Sequence, residues 1–173
     1  RVLEQIEALA HDSLVDVRRI VAALSPAELE EGALAGALRR MLDRVQAETG
    51  LAVDLHAEPG FPALPTVVEV ALLRTAQSAL ANVRLHAGAT RVVVSLVDTG
   101  DSVRLDVVDD GRGFDAEAWH RSSTRGIPAD SGYGLRSMRE RLRELGGGLD
   151  VESTPGDGTA LSAHLPLAPA REA

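Results

Sequence analysis

The stretch RVVVSLVDTGDSVRLDVVDDGRGF, residues 91–114, decides the fold. Its runs 91–98 and 102–109 are rich in Val and Leu and are bounded by turn residues, as strands are. Thr99-Gly100-Asp101 lies between them and has the composition of a hairpin turn. The stretch therefore predicts a β-hairpin whose second strand ends at a pair of acidic residues.

Two helices and a strand are predicted upstream of this hairpin. Residues 31–49 and 66–87 favour helices, and each run stops at a glycine. Between them, residues 51–57 alternate well enough for a strand. We therefore expect a helix, a strand and a second, long helix before the hairpin.

The downstream half begins with a Gly-rich segment, 111–134, that has no apolar period. A loop of this length is typical of a lid or a binding loop. A helix over 135–145 ends in three glycines, and strands over 149–153 and 159–165 follow. Together the elements predict an α+β fold, a two-layer sandwich in which helices cover a mixed, antiparallel-leaning sheet.

Residues 1–24 carry an apolar stripe outside this pattern and predict one preceding helix, which Ser25-Pro26 ends. That helix would pack either on its own domain or on a partner chain, and its place outside the pattern favours the partner. The chain begins at Arg1 in what resembles mid-helix, so we expect a fragment of a longer protein.

Composition excludes several functional classes. The chain has no Lys, so it holds no phosphate loop of the Gly-Lys-Ser/Thr type. Its formal net charge of −8 argues against a nucleic-acid partner. Without Cys it has no disulfide or Cys-ligated metal, which fits a cytoplasmic location. It lacks a run of 18 apolar residues, so we expect no membrane contact.

A polar stripe on the predicted helix 66–87 is the first candidate site. Ser78, Asn82 and Leu85 lie beside the stripe that faces the core. An Asn at the border of a buried face can ligate a cation through its amide oxygen. The alternative is a partly exposed Asn with no role.

The acidic pair at the end of the hairpin is the second candidate site. In Asp109-Asp110-Gly111-Arg112-Gly113-Phe114, a carboxylate at a strand end is followed by two glycines that let a planar ligand approach the backbone. Such a carboxylate can accept a hydrogen bond from an exocyclic amine. The alternative is a plain turn, because Asp and Gly are turn residues.

Two further glycine motifs lie downstream. Gly132-Tyr133-Gly134-Leu135 opens a helix, where free N–H groups and the helix dipole favour phosphate. Gly156-Asp157-Gly158-Thr159 precedes the last strand and, taken alone, predicts only a hairpin turn.

In this order the motifs resemble the ATP-binding domain of the GHKL superfamily, the Bergerat fold. "LLRTAQSALANVRLHAGAT" and "VVDDGRGFD" are similar to the N box and first G box of sensor histidine kinases of the HisKA_3-type subclass. "GYGLRSMRERLRELGGGLDVESTPGDGTALSAHLPL" is similar to the second G box through to the domain end. "VRRIVAALSPAELEEGALAGALRRML" resembles the join to the dimerisation domain.

The resemblance implies a role for each matching position. Asn82 would ligate Mg²⁺, Asp109 would bind the adenine amine, and residues 114–131 would be the ATP lid, mobile without nucleotide. His86 stands near a helix end, where it could also be a structural cap. The other positions implied to contact ATP are Gly111, Gly113, Gly132, Tyr133, Gly134, Leu135 and Thr159.

The resemblance also implies a reaction and partners. The γ-phosphoryl group of ATP would pass to a His outside this chain and then to an Asp of a response regulator. Residues 1–26 would be the second helix of a dimerisation domain, 27–167 the catalytic domain and 168–173 a tail. The full-length protein would be a homodimer and could be membrane-anchored.

Two positions depart from the family pattern. Ser78 stands where the family usually has a Glu that is thought to assist proton removal, and serine is no base near neutral pH without an activating partner. Leu85 stands where the family usually has Lys or Arg, with Arg84 one residue earlier. Both departures leave open a degenerate, non-catalytic module.

His11 begins a "HDSL" sequence that superficially resembles a phosphoacceptor box. The family box continues to Gln five residues later, where this chain has Asp16. We therefore interpret His11 as an ordinary helix residue. An anti-sigma-factor serine kinase is a further alternative, which the preceding helix and the "GYGLRSMRERLRELGG" text disfavour.

Overall fold

A computed structural model of the chain describes residues 33–124 and 133–167. The predicted helix 1–24, His11, Gly132 and the tail 168–173 lie outside the described residues. The elements in chain order are α1 (Ala33–Thr49), β1 (Ala52–Ala57), α2 (Thr66–Asn82), a π-helical turn (Val83–Ala87), β2 (Arg91–Asp98), β3 (Ser102–Asp109), α3 (Ala116–Thr124), α4 (Tyr133–Glu144), β4 (Gly148–Ser153) and β5 (Thr159–Pro166).

The five strands form one mixed sheet in the order β1-β2-β3-β5-β4. β1 pairs with β2 in parallel, and the other neighbours are antiparallel. One row of the register joins the end of β3 to the start of β5 and the end of β4, because Thr159 pairs with both Asp109 and Ser153. Three strand termini therefore meet at one edge of the sheet.

The core lies between the inner face of the sheet and a layer of helices. Alternate residues of β2 and β3 are buried, and α2 packs against both α1 and α4. The central helix α2 is buried on several sides. Its apolar stripe, predicted to face the core, is buried at all members but the last, Ala87, which is partly buried: Leu72, Ala76, Ala79, Leu80 and Val83. This arrangement confirms the predicted α+β two-layer fold.

The hairpin strands are confirmed at their predicted bounds, 91–98 and 102–109. The predicted helix 66–87 has a different end, because its last turn, Val83–Ala87, is π-helical. Gly88, at φ +59°, ends the turn in the left-handed conformation that favours glycine. π-turns are rare and recur at functional sites.

The Gly-rich segment contains a helix that the sequence analysis missed. α3 begins after Asp115, whose carboxylate Oδ1 accepts a hydrogen bond from the Ala118 N–H at 2.8 Å, as an N-cap residue does. Among residues 116–121, for which burial is described, Ala116 and Trp119 are the buried ones, three residues apart. One such pair is too short a repeat to reveal a helical period, although the Asp cap was visible.

Within the described ranges, no helix is long and apolar enough to cross a membrane.

Candidate functional site

A cavity of about 550 Å³ opens where the ends of β3 and α2 approach α3 and the start of α4. Its volume is in the range that holds drug-sized ligands. It is lined by Ala79, Asn82, Val83, His86, Ala87, Val107, Asp109, Arg112, Gly113, Phe114, Asp115, Ala118, Trp119, Leu135, Thr159 and Leu161.

Asp109, the last residue of β3, is the buried acid of the cavity, with 8% of its surface exposed. Its Oδ1 accepts a hydrogen bond from the Gly111 N–H at 2.8 Å. Burial raises the pKa of this carboxyl, and the charge of Asp110 adds to that, whereas hydrogen bonds from the N–H groups of Gly111 and Thr159 oppose it. The Asp109 carboxylate is therefore a hydrogen-bond acceptor at the cavity wall that water solvates only in part.

The neighbouring Asp110 has a different environment. Its carboxylate accepts hydrogen bonds from the N–H and hydroxyl of Thr90 at 2.8 and 2.6 Å and from the Arg91 N–H at 2.8 Å. The Thr90 hydroxyl is the main cause that lowers the pKa of Asp110, and the Arg91 and Thr90 N–H groups add to it. Asp110 thus fastens the loop to the start of β2 and does not line the cavity.

Gly111 lies against the π-helical turn. A Cβ there would be 2.5 Å from the Ala87 carbonyl oxygen and 2.7 Å from Asp109 Oδ1, so only glycine fits without movement. The Arg112 N–H donates to the same Ala87 oxygen at 2.8 Å. The turn after α2 and the loop after β3 are therefore joined backbone to backbone.

Gly113 and Gly158 join this loop to the turn between β4 and β5. Gly113, at φ +59°, has no room for a Cβ because the Thr154 carbonyl oxygen occupies that space. Gly158, at φ +74°, is blocked in the same way by the Asp109 carbonyl oxygen. Both positions need glycine for conformation and for space.

Hydrogen bonds also join the loop after β3 to the turn between β4 and β5. The Gly156 N–H donates to the Arg112 carbonyl oxygen at 2.7 Å. Ser153 Oγ accepts from the Phe114 N–H at 2.9 Å and donates to the Gly158 carbonyl oxygen at 2.7 Å. We call residues 109–113 and 153–159 together the glycine clasp. The Gly156–Thr159 motif is thus a hairpin turn, as predicted, and also half of this clasp.

Asn82, the last residue of α2, also lines the cavity. A Cβ on Gly134, in the first turn of α4, would be 3.6 Å from Asn82 Oδ1, so the start of α4 stands next to this amide. Leu135 lines the cavity too, whereas Gly134 is exposed beside it. The described chain thus brings together the predicted residues Asn82, Gly134 and Leu135.

Three residues of the π-helical turn, Arg84, Leu85 and His86, lie in different environments. His86 lines the cavity, Arg84 pairs with Glu48 of α1 at 3.4 Å, and the Leu85 side chain is 74% exposed. Arg84 therefore points away from the cavity and does not replace the basic residue that the resemblance would place at position 85. Ser78, half-buried one turn before Asn82, is not among the residues that line the cavity.

Metal ligands are few at this site. The described residues contain no group of three or more His, Cys, Asp or Glu side chains able to hold a metal ion. Asn82 offers one amide oxygen, which suits Mg²⁺ only where a ligand's phosphates and water complete the coordination.

Residues of α3 form a cavity wall that the sequence analysis missed. Ala118 and Trp119 line the cavity, and Trp119 is only 9% exposed. The described part of the predicted lid thus contains apolar side chains that pack at the cavity, although the segment has no apolar period in the sequence. We call residues 114–119 the helical wall.

The chain is similar in sequence to a family of ATPases and to sensor histidine kinases. The family model for histidine kinase-, DNA gyrase B- and HSP90-like ATPases matches residues 67–169. Sensor histidine kinase LiaS of Bacillus subtilis is 32% identical over 96% of this chain and 43% of LiaS. Sensor histidine kinase YhcY of the same organism is 34% identical over 96% of this chain and 40% of its own length. The chain thus spans about two fifths of these relatives.

Solved structures show the same fold. The histidine kinase domain of the blue-light activated histidine kinase EL346 from Erythrobacter litoralis superposes with a TM-score of 0.59 at 25% identity, over 78% of this chain and 61% of that one. The mycobacterial sensor histidine kinase MprB superposes with a TM-score of 0.55 at 22% identity, over 79% of this chain and 95% of that one.

Proposed function

This chain belongs to the family of histidine kinase-, DNA gyrase B- and HSP90-like ATPases, and from that premise we propose that it is the ATP-binding catalytic domain of a sensor histidine kinase. The observation that carries the proposal is one cavity lined by both Asp109 and Asn82, with the first turn of α4 next to the Asn82 amide. A base acceptor and a phosphate-binding helix start are what an adenine nucleotide requires.

Asp109 would recognise the base. Its carboxylate accepts a hydrogen bond from the exocyclic amine of adenine, which guanine lacks at the corresponding position. Gly111 and Gly113 keep the adjacent wall free of side chains, so a flat ring can approach the backbone. Thr159, next to Asp109 in the sheet, lines the same end of the cavity.

The start of α4 would bind the phosphates. The N–H groups of a first helical turn point outward unpaired, and the helix dipole is positive there. Gly132, Tyr133, Gly134 and Leu135 would border the phosphates in this arrangement. Asn82 Oδ1 would ligate one Mg²⁺ that the phosphates also bind, and His86 would contact the nucleotide from the π-helical turn.

The γ-phosphoryl group would then pass to a His outside this chain and onward to an Asp of a response regulator. Such transfer depends mainly on positioning and on neutralising the phosphate charge. In the longer protein the acceptor would come from a dimerisation domain, of which residues 1–26 are the proposed second helix. A homodimer would bring the two parts together.

A degenerate domain that binds nucleotide without transfer is the second candidate. Ser78 offers no basic group where the family usually has Glu, and Leu85 is exposed beside the cavity where a cation is usual. Each departure reduces the help that the domain gives to the chemical step while leaving the cavity intact.

A phosphorylation assay separates the two candidates. We expect this chain to bind ATP with Mg²⁺ but not to become labelled from γ-labelled ATP, because its acceptor lies elsewhere. A longer chain that includes the upstream acceptor His should form acid-labile phosphohistidine, and Asn82→Ala should abolish it. Ser78→Glu in that longer chain should raise the rate if the domain is a kinase weakened at one position.

Two outcomes would overturn this assignment. No labelling of the longer chain, with or without Ser78→Glu and with ATP binding intact, would establish the degenerate module. Acid-labile label on the present chain alone, lost in His11→Gln, would show that the proposed acceptor and domain boundary are wrong.

A further inference from the structure

We propose that Arg139 is a positioning residue of the nucleotide site, which holds the indole of Trp119 in place as a wall of the cavity. The inference rests on the proposed function, and it adds a residue that does not itself line the cavity. Arg139 would act on the bound nucleotide only through Trp119.

The geometry joins three elements. The guanidinium carbon of Arg139, on α4, lies 4.6 Å from the centre of the Trp119 ring, on α3. At this distance a cation over the face of an indole is attracted by the ring quadrupole. The Arg139 Nη2 also lies 3.4 Å from His120 Nδ1 and 3.5 Å from the carbonyl oxygen of Leu149, the second residue of β4.

The indole is the principal partner of this cation. No carboxylate among residues 33–124 and 133–167 lies within ion-pair distance of Arg139. The two polar contacts are long for hydrogen bonds. Burial lowers the pKa of Arg139, the charge of Arg143 adds to this effect, and the charge of Asp150 opposes it. A half-buried guanidinium with weak polar partners gains most from the aromatic face.

The indole is in turn a shared surface. Trp119 is almost fully buried, and its residue both lines the cavity and contacts the cation. If Arg139 is removed, the ring loses one of the contacts that hold its orientation, which also include the His120 ring at 4.9 Å, and we expect other orientations to become more populated. A ligand that requires one orientation then binds more weakly, in proportion to the population that is lost.

Arg139 also links the two ends of the site. It lies one turn after Leu135, which borders the cavity beside the Gly134 and Asn82 contact. One helix therefore contacts the proposed phosphates at its start and positions the aromatic wall one turn later. We infer that α4 transmits phosphate binding to the wall.

The other aromatic residue of the wall is held differently. Phe114 is fixed through its backbone, because its N–H donates to Ser153 Oγ at 2.9 Å. Its position does not depend on a cation. Trp119 is therefore the wall residue that a charge on α4 can control.

The test uses the single Trp of the chain as its reporter. Replacing Arg139 by Met removes the cation and keeps a long apolar side chain on the helix. We expect Arg139→Met to weaken Mg²⁺-ATP binding roughly 3- to 10-fold, the effect of losing one half-buried cation–π contact. The Trp emission of the unliganded protein should shift to the red, because the ring becomes more solvated.

Arg143→Met is the matched control. It removes the same charge from an exposed position one turn farther along the same helix. We expect affinity and emission close to those of the wild type. Arg139→Lys, which keeps the charge but not the planar group, should fall between the wild type and Arg139→Met and serves if the Met variant folds poorly by circular dichroism.

A double-mutant cycle with Trp119→Leu separates positioning from general destabilisation. If Arg139 acts through the indole, Arg139→Met should have no further effect on affinity in the Trp119→Leu background. An equal loss in both backgrounds, or unchanged affinity and emission in Arg139→Met, would overturn the inference. Failure of the wild type to bind ATP would overturn the proposed function, and this inference with it.

Discussion

The glycine clasp and the helical wall close the same cavity by different means. The clasp is fixed by backbone atoms, through three glycines without room for a Cβ and hydrogen bonds such as that from Gly156 to Arg112. The helical wall is held largely by side chains, above all by Trp119 under Arg139. Backbone packing cannot change without refolding the loops, whereas side chains change rotamer readily. From this difference we expect the proposed base end to be preformed and the wall to adjust to a ligand.

The largest effect is expected for a substitution that disrupts the glycine clasp. In Gly158→Ala the new Cβ meets the Asp109 carbonyl oxygen at a positive φ that alanine disfavours. Strain and steric conflict together should cost about 2–5 kcal/mol of unfolding free energy. Thermal unfolding should shift by about 5–15 °C, and ATP affinity should fall with it.

Gly156→Ala is the control in the same turn. Gly156 has φ +94° but nothing within 4 Å of a Cβ, so only the conformational cost remains, about 1 kcal/mol. Equal destabilisation by the two substitutions would mean that the backbone contact between the loops contributes nothing.

The next effect tests recognition at the clasp. Asp109→Ala should weaken ATP binding roughly 10- to 150-fold, because a hydrogen bond to a charged group is worth about 1.5–3 kcal/mol. Isothermal titration calorimetry gives the dissociation constant directly. Asp110→Ala, next to it, should lower thermal stability through the lost bonds to Thr90 and Arg91 but leave affinity nearly unchanged. Unchanged affinity in Asp109→Ala would remove the adenine assignment.

The smallest effect concerns pH. Because burial raises the pKa of Asp109, its carboxylate should become protonated at a higher pH than an exposed Asp would. Affinity for ATP should therefore fall on acidification at unusually mild pH, since the protonated group no longer offers the same acceptor. Calorimetry between about pH 4.5 and 7.5 measures this, with Asp109→Asn as a variant that cannot titrate.

Stability should show the opposite sign. A folded pKa above the unfolded value of 3.8 means that folding is penalised by the charged carboxylate. The penalty is absent below that value, grows as the pH rises to the folded pKa and is complete above it. The stability of Asp109→Asn relative to the unliganded wild type should therefore increase with pH, and a decrease would contradict the burial effect.

The hairpin could be predicted from the sequence because its evidence is local. Val- and Leu-rich runs bounded by Thr99-Gly100-Asp101 determine two strands whose observed bounds match the prediction. The order of the motifs likewise sufficed to assign the family. The placement of Asn82 beside Gly134 was implied only by the resemblance and follows from helix packing that no local pattern specifies.

The remaining features depend on contacts distant in sequence. Asp109 and Asp110 have the same side chain, and only the position of Thr90 and Arg91 shows which one is engaged elsewhere. The role of Gly158 depends on a carbonyl oxygen of β3, far away along the chain. The sequence did not predict the π-helical turn, because the apolar stripe of α2 continues through it. The role proposed for Arg139 depends on its contact with Trp119 of α3, which no pattern within α4 indicates.

The composition of the two walls has a consequence for selective inhibition. Backbone N–H and carbonyl groups are the same whatever residue carries them, so a compound that contacts only the backbone of the clasp would distinguish poorly between proteins. The indole of Trp119, backed by a guanidinium, is a chemically individual surface in a chain with few aromatic residues. An electron-poor ring that stacks on that indole would derive its selectivity from the wall that the ligand itself helps to form.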